Sequence, residues 1–238
     1  MKDIKKDNFP GRHPAGSITG PDIGQGIRSK DMIENIKPMD IEKRSFEIIT
    51  ETLGDRKFPE EQESIIKRVI HTSADFDYAD NLKFSDDAVE KALEALRAGC
   101  DIVTDTNMAK AGINKTILGS LGGEVHCFMA DPDVAAEAKE RGVTRAIVSM
   151  EKAAKLEKPV IFAIGNAPTA LIRIHDMIGT GELKPALVIG VPVGFVNVVE
   201  SKELIMTDDV PFIVARGRKG GSNVAAAIVN ALLYKIKR

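Results

Sequence analysis

The chain has 238 residues and a mass of 25.8 kDa, a length that suits one large domain or two small ones. Its 43% hydrophobic and 29% charged residues exclude a disordered or a membrane-spanning protein. Its 33 Lys and Arg nearly balance its 35 Asp and Glu, so the net charge of −2 gives no general attraction to nucleic acid or anionic lipid.

The sequence predicts a cytoplasmic protein without nucleic-acid or membrane partners. Cys100 and Cys127 are typical of small buried residues in a reducing compartment. The first residues lack the apolar segment of a secretory signal, and no apolar run reaches the roughly 18 residues of a transmembrane helix.

Composition changes once along the chain, near its start. Residues 10–26 contain five Gly and three Pro, which disfavour a helix. We therefore interpret residues 1–35 as an irregular extension and residues 36–238 as the folded domain. The extension suits either a disordered or surface-wrapping tail or an arm that covers a ligand or a second subunit.

Helix signals dominate the first part of the domain. Each predicted helix begins at an N-cap or proline, and glycine is the stop signal for the first and the third. The predicted helices and their start signals are 41–53 with Asp40 as the N-cap, 59–71 opened by Pro59, and 86–99 capped by Ser85.

Five short apolar runs then alternate with helical patterns. This alternation predicts an α/β fold, a three-layer α/β/α single domain with a mostly parallel sheet. The predicted strands are 101–105, 124–129, 159–165, 185–190 and 211–217.

Three of the segments that leave these strands are rich in Gly or Pro. They are residues 164–169, 189–195 and 215–222. Because ligands bind at the carboxyl ends of strands in open α/β sheets, we expect a large ligand site there. The chain has no P-loop, G-x-G-x-x-G turn, nucleophile elbow or zinc helix, and no His or Cys cluster with metal-ligand spacing.

Positive charge is concentrated in the last of these segments. Arg216, Arg218 and Lys219 precede Ser222 at a predicted helix start, where free N–H groups suit carboxylates or phosphates. A solvated basic turn is the alternative. Arg145, which follows a predicted cap at Thr144, is a second candidate or else a surface arginine.

His71 is the candidate general acid among the four histidines. It ends a predicted helix and precedes Asp75, Asp77 and Asp80, a setting expected to raise its pKa and favour imidazolium. The alternative is a histidine that satisfies the last helix carbonyls. The remaining histidines have structural or surface interpretations: His13 in the extension, His126 in a strand, and His175 in a helix.

Two polar residues have open interpretations. Ser45 is on or near the apolar side of the first helix, where serine is usually a packing residue. Asp105 ends a strand and is either a site acid or the cap of the next helix.

Several segments together resemble the precorrin-8X / cobalt-precorrin-8 methylmutase family of cobalamin biosynthesis, over about residues 38–236. The ordered set of IGNAPTAL, GVPVGFVNVVESK and RGRKGGS is highly specific. The segments that carry the resemblance, including these three motifs, are residues 44–49, 69–75, 105–113, 163–171, 188–202 and 214–222.

The resemblance implies an isomerase that moves a methyl group from C11 to C12 of a corrinoid macrocycle. It implies no redox cofactor or methyl donor, with any cobalt carried by the substrate, and a homodimer with the tetrapyrrole bound near the subunit interface. It implies His71 as the catalytic residue, with Ser45 and Arg145 orienting the substrate. Further candidates for substrate binding are Asp105, Asn166, Thr169, Arg216 and Ser222.

Two other functions remain compatible with the sequence. A non-catalytic corrinoid carrier would use the same Arg- and Gly-rich segments. Another α/β enzyme could bind a phosphorylated metabolite at residues 216–222.

Overall fold

The structure is a computed structural model that describes Glu34 and residues 36–237. The chain divides into two compact units, Met1–Ile41 and Glu42–Arg238. The described part of the first unit contains a 3₁₀ turn at Pro38–Asp40. Apart from Glu34, the extension predicted for residues 1–35 lies outside the described residues.

Among the described residues, three α-helices precede the first strand, and one or two helices follow each strand. The strands are β1 (Leu82–Phe84), β2 (Asp101–Thr104), β3 (Val125–His126), β4 (Val160–Ile164), β5 (Leu187–Gly190) and β6 (Phe212–Ala215). The helices are α1 (Ile41–Leu53), α2 (Glu60–Ser73), α3 (Tyr78–Asn81), α4 (Ala88–Arg97), α5 (Asn107–Gly112), α6 (Lys115–Ser120), α7 (Pro132–Arg141), α8 (Arg145–Ala153), α9 (Pro168–Gly179), α10 (Val198–Ile205) and α11 (Ser222–Ile236).

The six strands form one sheet in the order β1-β6-β5-β4-β2-β3. All neighbours are parallel except β1, which pairs antiparallel with β6. The chain winds outward from β2 to β3 on one side and from β4 through β5 to β6 on the other. The order therefore reverses between β2 and β4, and a ligand crevice is expected at the carboxyl ends of these strands.

Helices cover both faces of the sheet, which confirms the predicted three-layer α/β/α fold. Alternate residues of each strand point to opposite faces, so Ile102 and Ile161 pack beneath α2, α4 and α11. Val103 and Phe162 pack on the other face, beneath α8 and α9. Strands β2, β4 and β5 are buried along their full length, as parallel strands covered on both sides must be.

The structure corrects two of the predicted local features. Ser85 does not cap α4 through its side chain, because its Oγ accepts a hydrogen bond from the backbone N–H of Phe212, 2.9 Å away. Asp87, at φ 56°, is the N-cap of that helix instead. The predicted strand 124–129 is a two-residue strand. Within the described residues, no helix combines the length and apolar character needed to span a bilayer.

Candidate active site

Asp105 lies at the reversal point of the sheet and fixes the turn that follows β4. Its side chain is 1% exposed. One carboxylate oxygen accepts from the N–H of Gly165 at 2.9 Å, and the other accepts from Asn166 at 2.8 Å and Ala167 at 2.6 Å. Burial raises the pKa of Asp105, and the three N–H donors oppose that rise.

The interpretation of Asp105 as the cap of the next helix is wrong. The N-cap of α5 is Thr106, whose side chain accepts from the N–H of Ala109 at 3.1 Å. Asp105 is therefore free to bind the turn after β4, which presents the exposed Asn166 at the sheet edge.

The first residue of α11 lies against the same point. Ser222 Oγ is 2.7 Å from Thr106 Oγ1, so the segments after β2 and β6 are hydrogen-bonded. A Cβ on Gly165 would lie 2.7 Å from Ser222 Cα and 2.8 Å from Gly221 O. Only glycine allows the end of β4 and the start of α11 to approach this closely.

The 216–221 loop connects β6 to α11 along this edge and contacts the segment after β5. Gly221 N–H donates to Val191 O at 2.9 Å, and Gly194 N–H donates to Arg218 O at 3.2 Å. A Cβ on Gly220 would lie only 2.1 Å from Val191 O. The prediction that the three Gly-rich segments share one edge of the sheet is confirmed.

The basic side chains of the 216–221 loop interact with groups of the protein itself. Arg216 pairs with Glu203 through two hydrogen bonds of 2.7 and 3.0 Å, which raise the pKa of the guanidinium. The Arg218 guanidinium lies 5.8 Å from the centre of the Phe195 ring, within the range of a cation–π contact.

Lys219 connects the 216–221 loop to the segment that follows α2. Its ammonium lies 2.6 Å from carboxylate oxygens of both Asp75 and Asp77. The hydrogen bond from Lys219 lowers the pKa of Asp75, and the two carboxylates raise the pKa of Lys219. Asp80 pairs with Arg56 at 2.9 Å. The three carboxylates expected to act on His71 thus bind other cations.

His71 is exposed near the carboxyl end of α2. The helix ends at Ala74, whose φ is 52° and whose N–H donates to Ile70 O at 2.7 Å. The imidazole stacks on Phe46 of α1 with 5.3 Å between ring centres and 21° between planes. Among the described residues, none hydrogen-bonds the imidazole, so the ring does not satisfy the last helix carbonyls.

Helix α1 is anchored to α2 and α11 by Arg68. The guanidinium lies 4.9 Å from the Phe46 ring centre and 5.2 Å from that of Tyr234, and it also pairs with Glu42. These contacts fix the ring on which His71 stacks. Ser45, next to Phe46 in sequence, is half-buried on α1.

Arg145 is exposed at the first position of α8. Thr144 caps this helix, as predicted, by accepting from the N–H of Ile147. The Thr144 hydroxyl also lies 3.0 Å from that of Thr169 in the first turn of α9. The start of α8 and the start of α9 are thus hydrogen-bonded to each other.

The candidate residues fall into separate groups in the structure. His71 and Ser45 belong to the adjoining helices α2 and α1, whereas Arg216 is on the loop after β6. In the described part of the chain, no hydrogen bond, ion pair or ring contact joins His71 to Arg145. The remaining candidates follow β2 and β4 or begin a neighbouring helix: Asp105, Asn166, Thr169, Arg145 and Ser222.

The other histidines have structural partners or lie outside the described residues. His126 Nε2 is 3.3 Å from Asp101 Oδ2, in keeping with a satisfied histidine. His175 Nδ1 is 2.8 Å from Asp208 Oδ1. His13 is outside the described residues. Within those residues, no three His, Cys, Asp or Glu side chains are grouped to hold a metal ion.

Sequence reasoning did not assign a role to Lys202 or Phe46. Lys202 is fully buried in α10, and its spacing from Val198 and Ile205 on the buried face is the signal that could have found it. No sequence pattern indicated the stacking of Phe46 on His71, because the two residues are on different helices.

Comparison with known proteins places the chain in a family. The family model for precorrin-8X methylmutase matches residues 40–235. The chain is 50% identical to the cobalt-precorrin-8 methylmutase of Salmonella typhimurium over 84% of this chain and 97% of that protein. It is 49% identical to the enzyme of the same name from Priestia megaterium, over 83% and 88% of the two chains.

A solved structure agrees with these sequence comparisons. The precorrin-8X methyl mutase of Thermus thermophilus is 39% identical, with a TM-score of 0.75 over 82% of this chain and 96% of that chain. The family-model match, over residues 40–235, includes His71 and the three Gly-rich segments. The chain belongs to the precorrin-8X methylmutase family.

Proposed function

We propose that this isomerase of cobalamin biosynthesis moves a methyl group from C11 to C12 of precorrin-8 or its cobalt form, with His71 as the general acid. The observation that carries the proposal is the exposed His71 imidazole, held flat against Phe46 at the end of α2. Lys219 joins the segment just after this helix to the strand-end loops.

The substrate is a flat macrocycle with many carboxylates, and the sheet edge offers groups that suit it. Arg145, Arg216 and the first turn of α11 at Ser222 supply positive charge or N–H donors. Asn166 and Thr169 add polar side chains beside the turn after β4. Asp105 takes part through that turn, because both of its oxygens accept from the turn's backbone.

His71 would donate a proton or a hydrogen bond to a nitrogen of ring C. The electron-poor π-system then allows the bond from C11 to the methyl carbon to break as the bond to C12 forms, in a suprafacial 1,5-shift. Any proton that His71 donates must return to the imidazole after the shift, so no atom is gained or lost and no net oxidation occurs. A positioned general acid contributes about 10²–10⁴-fold to such a step, and Ser45 and Arg145 would orient the ring.

The proposal includes no cofactor held by the protein, because an intramolecular shift needs neither an electron acceptor nor a methyl donor. Any cobalt enters as part of the substrate, bound by ring nitrogens. The relatives that are 49% and 50% identical are named for the cobalt form, whereas a Pseudomonas aeruginosa relative, 40% identical, is a precorrin-8X methylmutase. Activity assays therefore need both substrates.

A homodimer in the cytoplasm is also part of the proposal. Exposed apolar side chains after β2 and β5 support an interface at the carboxyl edge of the sheet. Met108 is 70% exposed, Phe195 83% and Val196 78%. Apolar surface of this kind is typical of a protein–protein contact.

The role of His71 is tested by the substitution His71→Ala. We expect kcat to fall by about 100-fold or more, because the proton donor is lost. The Kd for the corrinoid product, followed by its visible spectrum, should stay within about threefold of the wild type, since the loops that bind carboxylates are unchanged.

Thr72→Ala, a change at the exposed neighbouring position, is the matched control and should leave both constants unchanged. His71→Gln distinguishes proton transfer by His71 from hydrogen bonding by His71, since glutamine donates a hydrogen bond but transfers no proton near neutral pH. Wild-type turnover in His71→Ala would show that His71 is not the acid.

A further inference from the structure

Lys202 is a charged residue in the interior that the proposed mechanism does not use. Its exposure is 0%, on the buried side of α10. The ammonium donates to the carbonyl oxygens of Gly217 at 2.7 Å and Lys219 at 2.8 Å. Among the described residues, no carboxylate forms an ion pair with it, so backbone carbonyls are its partners.

Burying an ammonium at a helix position without a carboxylate partner costs free energy of folding. Transferring the charge from water to the interior costs more free energy than hydrogen bonds to two neutral carbonyls recover. An apolar side chain of similar volume would fill the position at a lower cost in free energy. Burial lowers the pKa of Lys202 to about 8, which reflects that cost. Packing of α10 alone therefore does not explain a lysine at this position.

The two carbonyls belong to the 216–221 loop. Gly217, at φ 87°, adopts a conformation that places its carbonyl toward Lys202. The carbonyl between them, that of Arg218, accepts from the N–H of Gly194. Three successive carbonyls of the loop are thus bound, and its path is fixed from α10 and from the segment after β5.

This path determines where Lys219 is held. Its carbonyl accepts from Lys202, and its side chain reaches Asp75 and Asp77, four and six residues after His71. A chain of contacts therefore runs from the buried side of α10, through the 216–221 loop, to the segment that follows α2.

We propose that Lys202 is a positioning residue for substrate binding, which holds the 216–221 loop by its Gly217 and Lys219 carbonyls so that the loop, tied by the Lys219 side chain to Asp75 and Asp77, meets the macrocycle in a preformed arrangement. This inference rests on the proposed corrinoid substrate. It assigns the part of the loop's path that is fixed from α10 to one buried ammonium.

The test is the substitution Lys202→Met, which keeps most of the length and the apolar character of the side-chain stem but removes the donors. We expect KM for the substrate and Kd for the corrinoid product to rise by about tenfold or more, with kcat within about threefold, because His71 is not displaced. Lys91→Met, at an exposed position of α4, is the matched control and should change neither constant.

A double-mutant cycle distinguishes positioning from a general loss of stability. Lys219→Ala should weaken product binding by about tenfold in the wild type but by less than about threefold in Lys202→Met, because the loop is already displaced. Independent, additive effects would overturn the proposal, as would wild-type Kd in Lys202→Met. If Lys202→Met does not fold, Lys202→Gln, whose amide keeps N–H donors but is shorter and uncharged, must show a raised Kd, and wild-type Kd in that variant would equally overturn the proposal.

The binding readout separates this inference from the proposed function. A wild-type protein that binds no corrinoid contradicts the proposed substrate. A wild-type protein that binds corrinoid while Lys202→Met binds it equally well contradicts only the positioning role.

Discussion

Asp105 shows how one carboxylate organises the turn at the centre of the sheet edge. Three backbone N–H groups converge on its two oxygens, and the side chain is closed to water. Such charge-assisted hydrogen bonds are stronger than neutral ones. The exposed Asn166 and the start of α9 therefore take their positions from a residue that solvent does not reach.

Asp105→Asn should lower the free energy of unfolding by about 2–3 kcal/mol, because an amide group replaces one acceptor oxygen and faces N–H donors. Urea denaturation measures the change, with the exposed Asp86→Asn as the control. A free energy of unfolding for Asp105→Asn within about 0.5 kcal/mol of the wild-type value, the usual range for surface substitutions, would contradict the role assigned to Asp105.

At the level of elements, the candidate residues of the sheet edge lie where β2, β4 and α11 meet. The loop after β6 passes the end of β5 before α11 begins beside β4, so a single helix start reaches the reversal point of the sheet. Gly165 makes this possible, because Gly221 and Ser222 occupy the space of its missing Cβ. The close approach of α11 to β4 therefore depends on the glycine at position 165, directly after the strand.

Gly165→Ala should displace the start of α11 and weaken corrinoid binding. Overpacking of this kind costs about 1–3 kcal/mol of stability, and the product Kd should rise together with that loss. Gly119→Ala in α6 is the control, because a Cβ there meets nothing within 4 Å. Equal stability and binding in the two variants would show that the close approach is not required.

At the level of the whole molecule, apolar side chains are exposed at the carboxyl edge of the sheet, where we propose the contact between two copies. Phe195 is the largest of them after β5, and the Arg218 guanidinium lies over its ring. A site formed next to such a surface would be closed from solvent by the second copy.

Phe195→Asp should convert a dimer into a monomer in light scattering after size-exclusion chromatography, because a carboxylate in an apolar interface lacks a partner. Lys155→Asp, a charge change at an exposed position before β4, should leave the mass unchanged. A dimer that persists in Phe195→Asp would exclude Phe195 from the interface, and a monomeric wild type would contradict the proposed dimer.

The fold was largely predictable from sequence because its signals are local. Buried parallel strands are continuous apolar runs, and Thr144 and Gly142 mark helix ends as caps should. Strand β1 was missed because Leu82–Phe84 is too short to show alternation, and its pairing with β6 is set by contacts far along the chain.

The site was predictable only in part. Glycine and proline revealed which segments turn sharply after the strands. The partners of the charged side chains did not follow from sequence, because Lys219 and Asp77 are 142 residues apart and only the winding of the chain brings them together. For the same reason, sequence could not show that the carboxylates after His71 bind other cations.

The most direct test of the central claim is incubation of the purified protein with precorrin-8 and, separately, with its cobalt form. We predict conversion of at least one of them to a product of unchanged mass with a shifted visible spectrum, and NMR should place the migrated methyl group on C12. Tight binding of corrinoid without any change in the position of that methyl group would indicate a carrier and contradict the assignment of the isomerase reaction.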